Sequence, residues 1–220
     1  MFNLADVQAG PSSDLLTPDN SMMLFVDHQP QMFFGASSAD RAGVINATVG
    51  LAKSARVFDV PVVLSTVAAE SFSGPILPQL REIFPKLEVV DRTTMNAWED
   101  PALVDAVRAT GRSKIILSGL WTEVCVVLPA VSALAQGYEV YVVADASAGV
   151  TPEAHAHAMQ RMAAAGAVPV TWLQVLLELQ RDWARSETYA PTLEVVKEHG
   201  GAYGMGVVYA QSMIGSHAGG

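Results

Sequence analysis

Residues 114–143 read KIILSGLWTEVCVVLPAVSALAQGYEVYVV, and the alternation within them decides the fold. KIIL is a short run apolar on both faces, the pattern of a strand buried in a parallel sheet rather than half exposed on an antiparallel one. YEVYVV repeats it. The segment between them, residues 123–136, has helical spacing and stops at Gly137, a residue suited to the left-handed turn after a helix. Strand, helix and strand in this order form a parallel crossover, which is right-handed in nearly all folds.

The same unit recurs outward in both directions. Apolar runs stand at residues 22–26 (MMLFV) and 60–66 (VPVVLST), with shorter ones at 87–90 and 168–171, which makes six strands. Helical patterns cover residues 39–58, 77–84, 102–110 and 152–165. Asp100-Pro101 and Thr151-Pro152 pair a capping side chain with a proline at the first helical position, and Gly111 and Gly166 stand where helices must end. The alternation predicts one α/β domain with a Rossmann-like, doubly wound, three-layer fold around a six-stranded, mainly parallel sheet. Its core is residues 21–183. Residues 172–184 read as a helix with Trp172, Val175, Leu176, Leu179 and Trp183 on one face, and residues 192–199 as another. The extension, residues 184–220, lies outside the alternating pattern and is expected to make oligomer contacts; its end, SHAGG, is expected to be disordered.

Composition limits the function. Half of the 220 residues are hydrophobic, 16% are charged, and the formal net charge is -9. A chain without a basic patch is not built for nucleic acid or an anionic membrane. No apolar run approaches the roughly 18 residues that span a bilayer, and MFNLADVQAG lacks the pattern of a signal peptide, so a cytoplasmic protein is expected. The mean hydropathy of +0.28 implies apolar surface buried between subunits, hence a homo-oligomer. A single cysteine, Cys125, leaves no intramolecular disulfide and confines thiol chemistry to one position.

Ligands of an open parallel sheet bind beyond the carboxyl ends of its strands. Three segments lie there: Asp27-His28-Gln29-Pro30, the run from Asp91 to Trp98, and the run from Gly119 to Cys125. With Thr122 as N-cap, Cys125 falls in the first turn of a helix, where free N–H groups favour a thiolate and can hold an oxyanion. Val124, Val126 and Val127 equally suit a buried, inert cysteine. Position alone supports both readings. Asp27, a carboxylate directly after a buried strand, suits proton exchange with a neighbouring thiol; its plainer role is a helix cap or an ion pair with Arg92.

VDHQ at residues 26–29, DRTTMNAWED at 91–100 and GLWTEVCVVLPAVSALAQGYEVYVVADAS at 119–147 resemble the isochorismatase-like cysteine hydrolases, specifically their YcaC-type branch, over residues 21–183. The resemblance implies an Asp-Lys-Cys triad in which Asp27 and Cys125 keep their positions and Arg92 replaces the lysine. A guanidinium is a fixed charge and donor fork, so thiolate stabilisation and the orientation of Asp27 fall to Arg92, and all proton transfer to Asp27. The resemblance also implies a cis peptide at Leu120-Trp121 and an oxyanion hole made by the N–H groups of Trp121 and Cys125. Phe33, Asn96, Trp98, Trp121 and Thr122 are candidates to line a substrate pocket, with plain packing the alternative for the aromatic residues. Nicotinamidase-like members hold a metal through an Asp-x-His pair and a later histidine. Here residues 65–74 read STVAAESFSG, without histidine, so neither metal nor other cofactor is expected. His28 is expected to hydrogen-bond or to line an interface. The implied function is hydrolysis of a C–N bond in a small amide-like molecule by an octamer of two tetrameric rings. Two rivals stand beside it. A nucleotide-dependent Rossmann protein needs a Gly-rich loop where this chain has DHQPQ; a non-catalytic oligomer would keep the same residues as a vestigial site.

Overall fold

The computed structural model describes residues 10–214, and residues 216–220 lie outside them. Six strands, β1 (Ser21–Val26), β2 (Val62–Val67), β3 (Val89–Arg92), β4 (Lys114–Gly119), β5 (Glu139–Val143) and β6 (Val168–Val170), form one sheet in the order β3-β2-β1-β4-β5-β6. Every pairing is parallel. The helices are α1 (Pro30–Gly35), α2 (Arg41–Phe58), α3 (Pro78–Ile83), α4 (Pro101–Ala109), α5 (Val127–Ala135), α6 (Pro152–Ala164), α7 (Trp172–Gln180), α8 (Ser186–His199) and α9 (Ala202–Ile214). α2 packs with α3, α7 and α8, while α5 packs with α6. β1 and β4 are buried along their whole length, which is why their sequences lack alternation.

The expected caps form. Asp100 accepts a hydrogen bond from Leu103 N–H and Thr151 one from Ala154 N–H, each with proline following. Gly137, at φ 89°, takes the left-handed turn that frees the chain for β5. Three features depart from the sequence expectation. β3 lies two residues later than the apolar run suggests, so Arg92 is its last residue. The single helix expected at residues 123–136 is a π-helical turn, Thr122–Val126, followed by α5. Pro129 lacks the N–H that would bond the Cys125 carbonyl in a continuous α-helix. Finally, α7 stops at Gln180, and Trp183 leaves the apolar face to lie exposed, edge-on to Tyr189. The buried Gln180 amide accepts from the hydroxyls of Thr188 and Thr192 and donates to Asp182 O, fixing the reversal into α8. α8 therefore begins well before residue 192, and Ala202–Ile214 of the extension form α9.

The strand order reverses between β1 and β4, where Val26 pairs with Gly119. This is the switch point at which doubly wound sheets bind ligands. Asp27 and the turn bearing Cys125 emerge on its two sides.

Candidate active site

Asp27 leaves β1 with a left-handed backbone, φ 57°, while its N–H still donates to Ser65 O at 3.0 Å. Aspartate tolerates this conformation better than most residues. Gln29 secures the turn: its side-chain amide accepts from Val67 N–H and donates to Val67 O and Gly74 O, replacing a strand partner at the end of β2.

Arg92 meets Asp27 from the end of β3. Nη1 donates to Oδ1 at 3.0 Å and Nη2 to Oδ2 at 2.8 Å, and Nη1 also reaches Thr66 O at 3.2 Å. Both side chains are completely shielded from solvent. A bidentate, charge-assisted pair of this kind holds the carboxylate in one plane. The neighbouring Asp91 turns away, accepting from Thr66 Oγ1 and Ala69 N–H.

Cys125 completes the group from the π-helical turn. Its buried thiol lies beside the Asp27 carboxylate, close enough for each to shift the other's ionisation, and near the Trp121 backbone N–H. The Leu120-Trp121 peptide is cis, as the resemblance implies. The Trp121 indole donates to Met32 O at 2.7 Å and lies against Gly35, where a Cβ would overlap the ring. This contact seats α1 over the site. Phe33, also on α1, packs near the His28 imidazole.

The electrostatics describe a pair sharing protons rather than a preformed thiolate. Burial pushes the Cys125 thiol up to about 12; the Asp27 carboxylate adds to the rise, and Arg92 and the Trp121 N–H oppose it. Burial also raises Asp27, outweighing the hydrogen bonds and charge of Arg92. A resting thiol beside a carboxylate of raised proton affinity suits transfer of the proton as a bond forms at sulfur. His28 is pulled down to about 4 by burial, against the opposing effect of the Ala146 carbonyl, to which its Nε2 lies at 3.0 Å. It is a neutral hydrogen-bonding residue.

Asp27, Arg92, Cys125 and the Trp121 N–H thus converge, while Phe33 packs near His28, the residue after Asp27. Three expected pocket residues do not join them. Asn96 caps the short turn Ala97–Glu99 by accepting from Trp98 N–H, and its amide donates to Glu99 and Ser132. Trp98 is buried, edge-on to Tyr138 just before β5. Thr122 is no N-cap; its hydroxyl is fully buried and engaged by His155 Nδ1 at 2.8 Å. Gln29 and His155, both part of the surroundings that set the site, carry no local sequence signal for their roles. Among the described residues, no cluster of three or more His, Cys, Asp or Glu side chains is arranged to hold a metal.

Comparison with known proteins agrees with this fold. The model of the isochorismatase domain matches residues 21–174. The probable hydrolase YcaC of Escherichia coli is 36% identical over 169 residues, covering 76% of this chain and 81% of its own. A solved YcaC from Pseudomonas aeruginosa, carrying hexane-2,5-diol and covalent acrylamide, superposes with a TM-score of 0.87 at 33% identity, covering 93% of this chain and 100% of its own. The solved Escherichia coli YcaC, described as an octameric hydrolase of unknown specificity, gives 0.87 at 32% identity with the same coverage. The chain belongs to the isochorismatase family of hydrolases, in its YcaC-type branch.

Proposed function

We propose that the protein is a cysteine hydrolase that cleaves a C–N bond of a small amide-like substrate. The observation that carries this reading is the convergence of Cys125 with the buried Asp27-Arg92 pair at the switch point of the sheet. The sulfur attacks the substrate carbonyl while the thiol proton passes to Asp27, and the carbonyl π electrons move onto oxygen. The N–H groups of Trp121 and Cys125 hold that oxyanion. Its collapse breaks the C–N bond, and Asp27 returns the proton to the departing amine. Water then attacks the acyl-enzyme, giving one proton to Asp27; collapse of the adduct breaks the C–S bond, releases the acid product, and returns that proton from Asp27 to the sulfur. Arg92 serves throughout as a fixed charge that holds the carboxylate in plane.

The covalent acrylamide in the Pseudomonas aeruginosa relative supports a reactive site in this branch. Acrylamide is a small amide whose alkene captures thiolates, and it suits a chain with a single thiol as a one-site probe. The high proton affinity of Cys125 favours the second reading, a non-catalytic oligomer with a vestigial site. Stoichiometric labelling of Cys125 by acrylamide at neutral pH supports the hydrolase; an inert thiol supports the vestigial site. In a panel of small amides screened for ammonia or amine release, Cys125→Ala is expected to lose all turnover. Retained turnover would overturn the mechanism.

The octameric Escherichia coli relative supports an octamer here; the arrangement we infer is two tetrameric rings of a cytoplasmic protein, with α9 of the extension among the contacts.

A further inference from the structure

The turn that carries Cys125 is a π-helical turn of five residues, closed by Val127 N–H on Thr122 O and Val124 O and by Val124 N–H on Trp121 O at 3.0 Å. Beyond these bonds and the ties of Leu120 and Trp121 to Val26 O and Met32 O, it is held from outside by one continuous segment, residues 148–155. Thr122 N–H donates to Ala148 O at 3.0 Å, and Leu120 forms a β-bridge with Ala148. Glu123 Oε1 accepts from Val150 N–H at 2.9 Å. Thr122 Oγ1 and His155 Nδ1 share a hydrogen bond of 2.8 Å. The segment is itself anchored, since Gly149 O accepts from the N–H groups of Ser37 and Ser38 and Gly149 N–H donates to Ser38 Oγ. His155 lies in the first turn of α6, whose N-terminus is closed by the Thr151 side chain.

Of these ties, only the Thr122-His155 bond joins two side chains. It grips the first residue of the turn, three positions before the sulfur, and the Thr122 hydroxyl has no other partner among the described residues. We propose that His155 is a positioning residue for Cys125, acting through the Thr122 hydroxyl to hold the sulfur against the Asp27 carboxylate. The proposal rests on the cysteine hydrolase reading, because it assigns a purpose to that sulfur's placement. The bond does not depend on a single charge state: neutral His155 can accept from the hydroxyl through Nδ1, and protonated His155 can donate to it. The pair is thus a mechanical tie rather than a second acid or base. Displacement of a reacting atom by about 1 Å can cost two orders of magnitude in rate, which is the scale on which such a tie acts.

The test compares Thr122→Val, which keeps the side-chain shape and removes the hydroxyl, with Thr122→Ser, His155→Leu and the double variant Thr122→Val/His155→Leu. Each protein is labelled with acrylamide under pseudo-first-order conditions and followed by intact mass, alongside thermal melting. The expected result is labelling slowed at least about ten-fold in both single variants, restored to within about two-fold in Thr122→Ser, and no slower in the double variant than in the slower single one. A crystal structure of Thr122→Val, or of His155→Leu should the first fail to fold, reads the sulfur's position independently of its reactivity. The expected outcome is a sulfur displaced from its place beside the Asp27 carboxylate. An unmoved sulfur, labelling rates unchanged despite lowered melting, or additive losses in the double variant would each overturn the proposal. Failure of the hydrolase reading shows separately, as absent turnover in a protein whose sulfur still moves on substitution.

Discussion

His28 follows the proposed proton carrier and illustrates how burial alone can make a residue sense pH. Its imidazole ionises at about 4 in the folded protein, against 6.5 for an unperturbed histidine. Between these values the unfolded chain binds a proton that the folded chain refuses, so stability falls as pH drops from 6.5 towards 4 and this contribution levels off below. The full difference is on the order of 3 kcal/mol. Asp27, raised by burial, works in the opposite direction, because acidification relieves the cost of its buried charge. Chemical denaturation of wild type and His28→Gln at neutral pH and near pH 4.5 separates the two; the wild type is expected to lose more stability on acidification. Equal losses would remove His28 as the source. At this scale the sequence exposes identities but not partners. Asp27, Arg92 and Cys125 stand out as polar or reactive residues at the ends of buried runs. The exchange of lysine for arginine acquires its meaning only when both guanidinium nitrogens are seen bonded to Asp27.

Elements bring those residues together, and the junction of β1 with β4 does so with little clearance. A Cβ at Gly119 would overlap the Val26 carbonyl oxygen, the same oxygen that accepts from Leu120 N–H, and would press on Val126. Gly119→Ala must therefore part the two central strands where Asp27 and the cysteine turn emerge. The expected cost is at least about 2 kcal/mol, a fall in melting temperature on the order of 5 °C, together with slower acrylamide labelling of Cys125. Unchanged melting would show that the strands can yield there. The six strands are legible in the sequence because burial on both faces writes itself as uninterrupted apolar runs, as in MMLFV and KIIL. The π-helical turn is not, since an apolar helical pattern looks the same whichever carbonyl each N–H selects. The end of α7 escapes for a related reason: Trp183 keeps the helical spacing, but the bonds from Gln180 to α8 decide where the helix stops. Asn96 and Trp98 lie in the expected segment, yet their side chains serve a cap and a packed layer.

For the whole molecule, the uncovered surface carries the remaining argument. α9 packs through Gly204 against the backbone of α8, where a Cβ would overlap Val196 O. The other sides of α9 expose Tyr203, Met205, Val208, Tyr209 and Met213, and no charged residue occurs between residues 200 and 214. Exposed apolar surface of this kind on a chain of formal charge -9 is best accounted for by burial against another copy. The alternation of strands and helices predicts only that the extension lies outside the core; the structure adds that α8 is bound to α2 and leaves α9 as the exposed part. Sedimentation velocity of the wild type is expected to report an assembly several times the 23.3 kDa chain, at the octamer if it follows the Escherichia coli relative. Val208→Glu/Tyr209→Glu places two carboxylates on that face and is expected to shift the protein to smaller species, while far-ultraviolet circular dichroism stays that of the wild type because neither side chain is in the core. A wild type that sediments as a monomer would remove the oligomer. A variant that keeps the wild-type coefficient would move the contact away from α9 and onto other exposed apolar residues, among them Phe34, Phe72 and Met95.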